Sequence, residues 1–175
     1  MPSSAEDAPH PDPDGIVIQI AGVETVRPLR HLVLRPGRPV DTVHTLRDDE
    51  PSTWHLAAFA DADVVGVVTL FADASPHFPG RRAERFRWMA VHPGWRGRGI
   101  GRLLMRRAAD LLHDQGVEVL WAQGRDSALG FYEDIGFTTY GDGFIDPDTG
   151  IGHHIVAIDV EDLRSAGRTS ETVES

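Results

Sequence analysis

Hydrophobic and polar positions along this chain follow two periods, and each period predicts one type of element. Short runs rich in β-branched and aromatic residues predict strands, whereas apolar residues three and four positions apart predict helices. The helical period is clearest after residue 99, where Ile100, Leu104 and Ala108 share one face. The predicted strands cover residues 16–20, 54–60, 64–71, 84–91, 117–122, 137–140 and 153–160, and the predicted helices cover residues 22–34, 99–115 and 127–134.

The same pattern indicates where the folded domain begins and ends. Residues 1–14 and 161–175 are polar and offer little to bury, so we expect flexible tails around a domain that covers residues 15–160. With 175 residues and 41% hydrophobic composition, the chain suits a single domain with a full core. No stretch has the length of a membrane helix and no signal-peptide pattern is present, so we expect a cytoplasmic protein that does not bind membranes.

Two absences in the composition narrow the chemistry. The chain has no cysteine, which excludes disulfides, thiolate metal sites and a covalent acyl-cysteine. It has no lysine either, so all 17 cationic side chains are arginine, and neither a Schiff base nor a Walker-type phosphate loop is possible. The nine histidines show no metal-ligand spacing, because the adjacent His153 and His154 point to opposite faces of a strand. We therefore expect no bound metal.

The charge is distributed unevenly along the chain. A formal net charge of −10 argues against non-specific binding of nucleic acid. Yet nine arginines lie between Arg81 and Arg107, where Glu84 is the only acid. Such a basic segment in an acidic protein suits one polyanionic ligand, although a solvated helix face also accounts for Arg106 and Arg107.

The most informative segment covers residues 88–105, where a strand pattern breaks into a glycine-rich turn that opens a helix. Glycine lacks Cβ, so the chain can turn tightly and its backbone N–H groups can approach an anion. The helix N-terminus adds partial positive charge, and arginines add fixed charges that suit phosphate oxygens. The predicted phosphate-binding residues are Arg96, Gly97, Arg98, Gly99, Ile100, Gly101 and Arg102.

Two sequence blocks resemble the GNAT superfamily of acyl-CoA-dependent N-acyltransferases. Residues 96–101, Arg-Gly-Arg-Gly-Ile-Gly, are similar to the family's pyrophosphate loop, Arg/Gln-x-x-Gly-x-Gly/Ala. Residues 128–137, Ala-Leu-Gly-Phe-Tyr-Glu-Asp-Ile-Gly-Phe, are similar to a second block, Ala-x-x-Phe-Tyr-x-x-x-Gly-Phe. Residues 141–154 further resemble the ElaA-type branch, which carries a Gly-x-x-Phe and then a Gly-Ile-x-His pattern. The resemblance covers about residues 15–160.

This resemblance implies a fold, a co-substrate and several roles. The implied fold is α/β, with a GNAT-like mixed, mostly antiparallel central sheet of about seven strands flanked by helices. The implied co-substrate is acetyl-CoA, whose pantetheine arm pairs with the backbone of Met89, Ala90 and Val91. Tyr132, the tyrosine of the Phe-Tyr pair, is implied to stand near the coenzyme sulfur and to donate a proton to the leaving thiolate; a packed helix tyrosine is the alternative.

Other roles are less strongly implied by the resemblance. Glu84 begins the strand before the loop and is a candidate general base, with an ordinary surface acid as an equal alternative. His154 is a candidate for lining the acceptor site, with a structural role as the alternative. Many family members place an asparagine where this chain reads Gln123-Gly-Arg-Asp126, so Arg125 or Asp126 replaces it or nothing does. The aromatic side chains that either shape an acceptor cleft or pack in the core are Trp54, His55, Phe86 and Trp88.

We expect an N-acetyltransferase that moves an acetyl group from acetyl-CoA to a primary amine of a small molecule or peptide. Because the chain has no cysteine, direct attack in a ternary complex is the simplest route. A non-catalytic acyl-CoA-binding sensor module is the alternative, since an intact loop suits both. A dinucleotide-binding domain is disfavoured, because the glycine spacing is not Gly-x-Gly-x-x-Gly. The family resemblance is also compatible with a homodimer.

Overall fold

The computed structural model describes residues 15–169 and contains seven strands, four α-helices and four short 3-10 helices within that range. The strands are β1 (Ile16–Ala21), β2 (Trp54–Ala60), β3 (Asp63–Ala72), β4 (Ala83–Val91), β5 (Val119–Arg125), β6 (Thr138–Ile145) and β7 (Gly152–Asp159). The helices are α1 (Val23–Leu34), α2 (Ile100–Asp114), α3 (Leu129–Asp134) and α4 (Val160–Thr169). The predicted N-terminal tail, residues 1–14, lies outside the described residues.

The strands form one mixed sheet in the order β1-β2-β3-β4-β5-β7-β6. The pairs β1 with β2, β5 with β7 and β6 with β7 are antiparallel, and β4 pairs with β5 in parallel. Parallel neighbours need a long crossover, and α2 supplies it between β4 and β5. The expected fold class, an α/β protein with a mostly antiparallel sheet flanked by helices, is confirmed.

Residue contacts divide the chain into two compact units. The described part of the first covers residues 15–50, 54–69 and 88–104, and that of the second covers residues 51–53, 70–87 and 105–169. In the first unit, α1 packs Val26 and Leu29 against Ala57 of β2, Val67 of β3 and Ala90 of β4. These apolar positions are spaced for one face of a helix and for alternate positions of strands, so burial follows the sequence pattern.

The second unit has apolar groups on both faces of its strands. On one face, Ala83, Val119, Trp121 and Ala157 form a buried cluster. On the other face, the rings of Phe86, Tyr132 and Phe137 contact one another with centroid separations of 5.5–5.7 Å. The second cluster fixes α3 against the sheet and thereby fixes Tyr132.

The structure differs from the predicted elements by more than two residues in three places. Strand β5 continues to Arg125, beyond the predicted end at residue 122. Strand β6 continues to Ile145, beyond the predicted end at residue 140, because Phe144 and Ile145 pair with His153 and Gly152 after an irregularity in the register. Residues 161–169, predicted to be the start of a flexible tail, instead belong to α4, in which Val160 and Leu163 are buried. Residues 170–175 of that predicted tail lie outside the described residues.

No helix among residues 15–169 combines the length and the apolar character needed to cross a membrane. The cytoplasmic location and the homodimer stay predictions.

Candidate active site

The glycine-rich loop before α2 adopts backbone conformations that favour glycine. Gly97 has φ of +76° and Gly99 has φ of +79°, and a Cβ added at either position would meet nothing within 4 Å. Glycine is therefore favoured here by the backbone conformation and not by lack of room for a side chain, since the left-handed region costs other residues about 1–2 kcal/mol. The N–H of Leu103 donates to the carbonyl of Gly99, the first hydrogen bond of α2. The N–H groups of residues 100–102 have no partner within the helix and are available to an anion.

Arginine side chains surround these N–H groups. Arg96, Arg98 and Arg102 are all exposed. The Arg98 guanidinium lies over the ring of Trp95, 4.5 Å from its centroid. Within residues 15–169, neither Arg96 nor Arg102 forms an ion pair, so their charges are not neutralised by the protein. Fixed positive charge and N–H groups without a helical partner favour an anion at this helix terminus, so we call residues 96–102 the candidate anion-binding loop.

A close approach between β3 and α2 positions this loop. Ile100, the first residue of α2, is buried against β3. A Cβ at Gly66 of β3 would lie only 2.7 Å from Cγ2 of Ile100 and 3.1 Å from a methyl of Leu104. The missing side chain at Gly66 therefore lets the first turn of α2 pack on the strand. Sequence reasoning missed Gly66, because a single glycine inside a strand pattern does not identify its partner.

Strand β4 carries an irregular residue just before its predicted coenzyme-pairing segment. Trp88 has φ of +56°, which is uncommon for an aromatic residue. Of the three residues that follow, Ala90 is buried in the core of the first unit, whereas Met89 and Val91 are half-buried. Strained backbone conformations concentrate at functional sites, so this local departure is consistent with the role predicted for the segment.

Tyr132 is held firmly by its surroundings in the second unit. Its ring packs on Phe86, Phe131 and Phe137, and only 7% of the residue is exposed. The ring also lies against Gly124 of β5, where a Cβ would come within 3.1 Å of a ring carbon. Burial raises the pKa of the Tyr132 phenol to about 12, although the nearby Arg125 guanidinium partly opposes this. The phenol is therefore neutral and able to donate a hydrogen bond at every physiological pH.

Glu84 is a buried acid on β4. Only 7% of it is exposed, and its Oε2 atom has no hydrogen-bond partner within residues 15–169. Burial raises the pKa of the Glu84 carboxyl to about 7, with the Arg82 charge opposing the change. An acid with this pKa can exchange protons near neutral pH, so the alternative of an ordinary surface acid is wrong.

Glu84→Gln is expected to stabilise the protein at pH 8 by up to about 3 kcal/mol and to have little effect near pH 4.5. The carboxyl has an ordinary pKa of 4.5 and a folded-state pKa of about 7. Between these values the unfolded chain ionises first, so wild-type stability falls as pH rises, and the loss is complete above pH 7. Glutamine mimics the neutral acid and removes this loss. Urea unfolding at both pH values measures the difference, with the exposed Glu133→Gln as control. An equal effect of Glu84→Gln at both pH values contradicts the prediction.

His154 forms a hydrogen-bonded pair with Asp126 in the second unit. Nδ1 of His154 lies 2.7 Å from Oδ1 of Asp126. Asp126 directly precedes the predicted helix at residues 127–134, a position where aspartate commonly caps a helix. No side-chain capping bond forms there, and the carboxylate binds His154 instead. Spacing places the histidine of the Gly-Ile-x-His pattern at His153, which is buried and stacks on Phe144.

The structure therefore brings some predicted residues together. His154 is the register partner of Gly124 on β5, and the ring of Tyr132 lies against that same glycine. Glu84 is instead the register partner of Leu120, four residues earlier on β5. At about 3.3 Å per residue, that corresponds to roughly 13 Å along the strand.

Aromatic residues considered for an acceptor cleft are mostly internal. Phe86 is buried beside Tyr132, and His55 and Trp88 are buried in the first unit. There they contact Arg30, a fully buried arginine that also forms an ion pair with Asp48. Sequence reasoning missed this network, because an arginine in an amphipathic helix is usually exposed.

The comparisons with known proteins agree with this description. The family model described as Acetyltransferase (GNAT) domain matches residues 51–139. The Bacillus subtilis (strain 168) protein named uncharacterized N-acetyltransferase YitI is 29% identical over 139 residues, which cover 79% of this chain and 92% of that protein. Streptothricin acetyltransferase of Streptomyces lavendulae is 35% identical over 97 residues, 54% of this chain and 49% of that protein, so the match spans about half of it.

Among solved structures, Escherichia coli ElaA has a TM-score of 0.66 with 15% identity, covering 80% of this chain and 97% of that one. At this identity the likeness shows the shared fold alone, and the narrower ElaA-type placement stays a prediction. The family model and the N-acetyltransferase relative identify the class of protein, an acyltransferase that uses an acyl-CoA. The chain belongs to the GNAT acetyltransferase family, and it is an acyl-CoA-dependent acetyltransferase that acts on an amine.

Proposed function

We propose that this enzyme transfers an acetyl group from acetyl-CoA to a primary amine of a small molecule or peptide, by direct attack in a ternary complex. One observation carries the proposal: the loop before α2 combines two left-handed glycines with unpaired N–H groups and exposed arginines. A pyrophosphate is the part of acetyl-CoA that such a loop recognises. Arg96 to Arg102 would hold it, and the backbone of Met89, Ala90 and Val91 would pair with the pantetheine arm.

Tyr132 suits the departure of the thiolate. Its pKa of about 12 lies above the ordinary thiol value of about 8.5. Complete transfer of the phenolic proton would therefore be uphill by about 5 kcal/mol, so donation of a hydrogen bond to the developing thiolate is the favoured role. Within residues 15–169 no group bonds the Tyr132 hydroxyl, which leaves it available for the sulfur.

The acceptor amine needs to lose a proton. Glu84 has a pKa suited to accepting one, but its register partner Leu120 lies roughly 13 Å along β5 from Gly124, so a chain of waters would have to connect it to an amine at the level of Gly124. His154 lies at that level and would line the acceptor site. Direct attack is also the simplest route for a chain without cysteine, since no thiol is present to carry the acetyl group.

The proposal is tested by incubating the purified protein with acetyl-CoA and primary amines of different classes. The panel contains an alkyl diamine, an amino acid, a peptide with a free N-terminus and streptothricin, and the readouts are free thiol release and the mass of the product. Acetylated product with equal thiol release is expected for at least one class. Acetyl-CoA binding without any product favours the non-catalytic sensor, and no acetyl-CoA binding contradicts both.

Tyr132→Phe is expected to reduce kcat about 100-fold while the affinity for acetyl-CoA changes little. The substitution removes only the hydroxyl and leaves the ring between Phe86 and Phe137. Steady-state kinetics and calorimetric titration measure the two effects. Tyr140→Phe, which removes the hydroxyl from a half-buried ring stacked on His77, is the matched control. Equal kcat values for Tyr132→Phe and wild type contradict the role of the hydroxyl.

A further inference from the structure

The pair formed by Asp126 and His154 has the arrangement of a proton acceptor with its orienting carboxylate. Asp126 directly follows β5, and Nδ1 of His154 lies 2.7 Å from its Oδ1 atom. Because a carboxylate accepts this hydrogen bond, Nδ1 carries the proton and Nε2 of the neutral ring is the acceptor. The side chain of His154 is 27% exposed and that of Asp126 is 49% exposed, so the pair is open to solvent and to a substrate.

Two glycines make room for this pair. A Cβ at Gly143 would lie 2.7 Å from Cε1 and 2.9 Å from Nε2 of His154, and a Cβ at Gly152 would lie 2.5 Å from Oδ2 of Asp126. Neither glycine has a left-handed φ, so another residue can adopt the same backbone. The lack of a side chain therefore explains both glycines. At Gly143 it makes room for the His154 ring, and at Gly152 it lets the Asp126 carboxylate reach Nδ1 of His154.

His153, which is adjacent to His154, is held by different contacts. Nδ1 of His153 is hydrogen-bonded to the carbonyl of Ile151, and its ring stacks on Phe144 in a buried position. These contacts give His153 a structural role. Among residues 15–169, the side chain of His154 forms a hydrogen bond only with Asp126, so its Nε2 atom has no hydrogen-bond partner there.

His154 also lies level with Tyr132. It is the register partner of Gly124, and side chains of register partners lie on the same face about 4.5–5.5 Å apart at Cβ. The Tyr132 ring and Val156, two residues after His154, both lie near the position of a Cβ at Gly124. The imidazole and the phenol therefore project from the same face of the sheet at the same level, whereas Glu84 is register partner to a residue roughly 13 Å along β5.

We propose that His154, oriented by Asp126, is the general base that accepts the proton of the attacking amine. The proposal rests on the proposed function. The amine nitrogen forms the new C–N bond with the thioester carbonyl carbon, and its proton passes to Nε2. The C–S bond breaks, and its electron pair leaves on sulfur beside the Tyr132 hydroxyl. The thiolate then takes a proton from solvent and His154 releases one to solvent, which balances the reaction.

Charged and titratable groups around the pair also contribute to its pH dependence. Arg125 and Asp126 lie at the end of β5, Asp142 precedes Gly143 on β6, and His153 precedes His154 on β7. The ring of Tyr132 on α3 lies against Gly124, the register partner of His154. A test by pH profile must therefore separate His154 from these groups and from Glu84, whose pKa is about 7.

The test compares His154→Gln with wild type in acetyl-CoA affinity and in the pH profile of kcat/KM. The acceptor is the panel amine with the highest wild-type rate. We expect His154→Gln to lower kcat by about 10²- to 10⁴-fold, to remove the rise of activity with increasing pH, and to leave acetyl-CoA affinity within threefold. Gly143→Ala places a Cβ too close to Cε1 and Nε2 of His154, so the ring must shift, and we expect kcat to fall at least tenfold. Gly130→Ala in α3, where an added Cβ meets nothing within 4 Å, is the matched control.

Asp126 is a positioning residue in this proposal, and its test is rescue by the conservative variant. Asp126→Asn is expected to lower kcat and Asp126→Glu to restore part of it. Retention of the pH-dependent rise in His154→Gln, or its loss in Glu84→Gln instead, overturns the proposal and leaves the proposed function intact. A wild type that acetylates no amine overturns both. If His154→Gln does not fold, Gly143→Ala with unchanged kcat is the overturning result.

Discussion

Replacing Arg30 by methionine is expected to lower the free energy of unfolding by about 3–5 kcal/mol. Arg30 is fully buried, and its guanidinium donates to Asp48 at 2.8 Å and to the carbonyl of Val43 at 3.2 Å. It also contacts His55, Thr69 and the ring of Trp88. Methionine fills much of the volume but leaves the Asp48 carboxylate buried without its cation, and that uncompensated charge is the main cost.

The network also makes stability depend on pH. Burial and the Arg30 charge lower the pKa of His55, so this ring is neutral when folded; Nδ1 accepts from Arg30, and Nε2 donates to the carbonyl of Asp48. For Asp48, burial acts to raise the pKa, but the hydrogen bonds from Arg30 and from the Thr45 amide lower it overall. Both folded-state pKa values lie below their ordinary ones, so stability is lost on acidification. The loss begins below about pH 6.5 with His55 and continues below pH 3.8 with Asp48.

Urea unfolding at pH 7 measures the effect of Arg30→Met. Arg47→Met is the matched control, because Arg47 pairs with Glu50 at 3.8 Å on an exposed surface and such pairs contribute at most about 1 kcal/mol. The double variant Arg30→Met with Asp48→Leu removes both charges and is expected to recover much of the lost stability. A loss below 1 kcal/mol for Arg30→Met, or no recovery in the double variant, contradicts a buried ion pair as the cause.

Strong local periodicity explains which elements could be predicted from the sequence. Strand β2 was predicted at residues 54–60 and is observed as Trp54–Ala60, and α2 was predicted at residues 99–115 and is observed as Ile100–Asp114. Both have regular apolar spacing and clear breaks at their ends. The prediction for strand β6 ended too early, because Gly141 and Gly143 interrupt the alternation of apolar and polar residues. Only the pairing with β7 shows that the strand continues.

Contacts distant in sequence explain what could not be predicted at the candidate site. The glycine-rich turn before α2 was predictable, because its glycines and arginines lie close together in the sequence. Asp126 lies directly before a predicted helix, yet the partner of its carboxylate, His154, is 28 residues away. Gly66 and Gly124 also depend on contacts distant in sequence, since each leaves room for a side chain of another element. No single-sequence pattern identifies such partners.

Gly99→Glu is expected to weaken binding of acetyl-CoA at least 100-fold, which corresponds to about 2.8 kcal/mol. Gly99 has φ of +79°, where a side chain costs about 1–2 kcal/mol, so the loop shifts away from the conformation that presents its N–H groups. The new carboxylate also lies at the N-terminus of α2, where it competes with the pyrophosphate for those N–H groups and for the exposed Arg96 and Arg102. Calorimetric titration with acetyl-CoA measures the affinity directly.

Gly80→Glu is the control for Gly99→Glu, because Gly80 is exposed, has the same φ of +79° and meets nothing within 4 Å of an added Cβ. It introduces the same charge and the same backbone strain outside the loop, so acetyl-CoA affinity should stay within threefold of wild type. Gly99→Ala separates backbone strain from charge, since it introduces the strain without the negative charge. If Gly99→Glu loses more affinity for acetyl-CoA than Gly99→Ala does, and added salt reduces the difference, electrostatic repulsion of an anion is the cause. Wild-type affinity in Gly99→Glu would mean that the pyrophosphate binds elsewhere and that the loop is a structural turn.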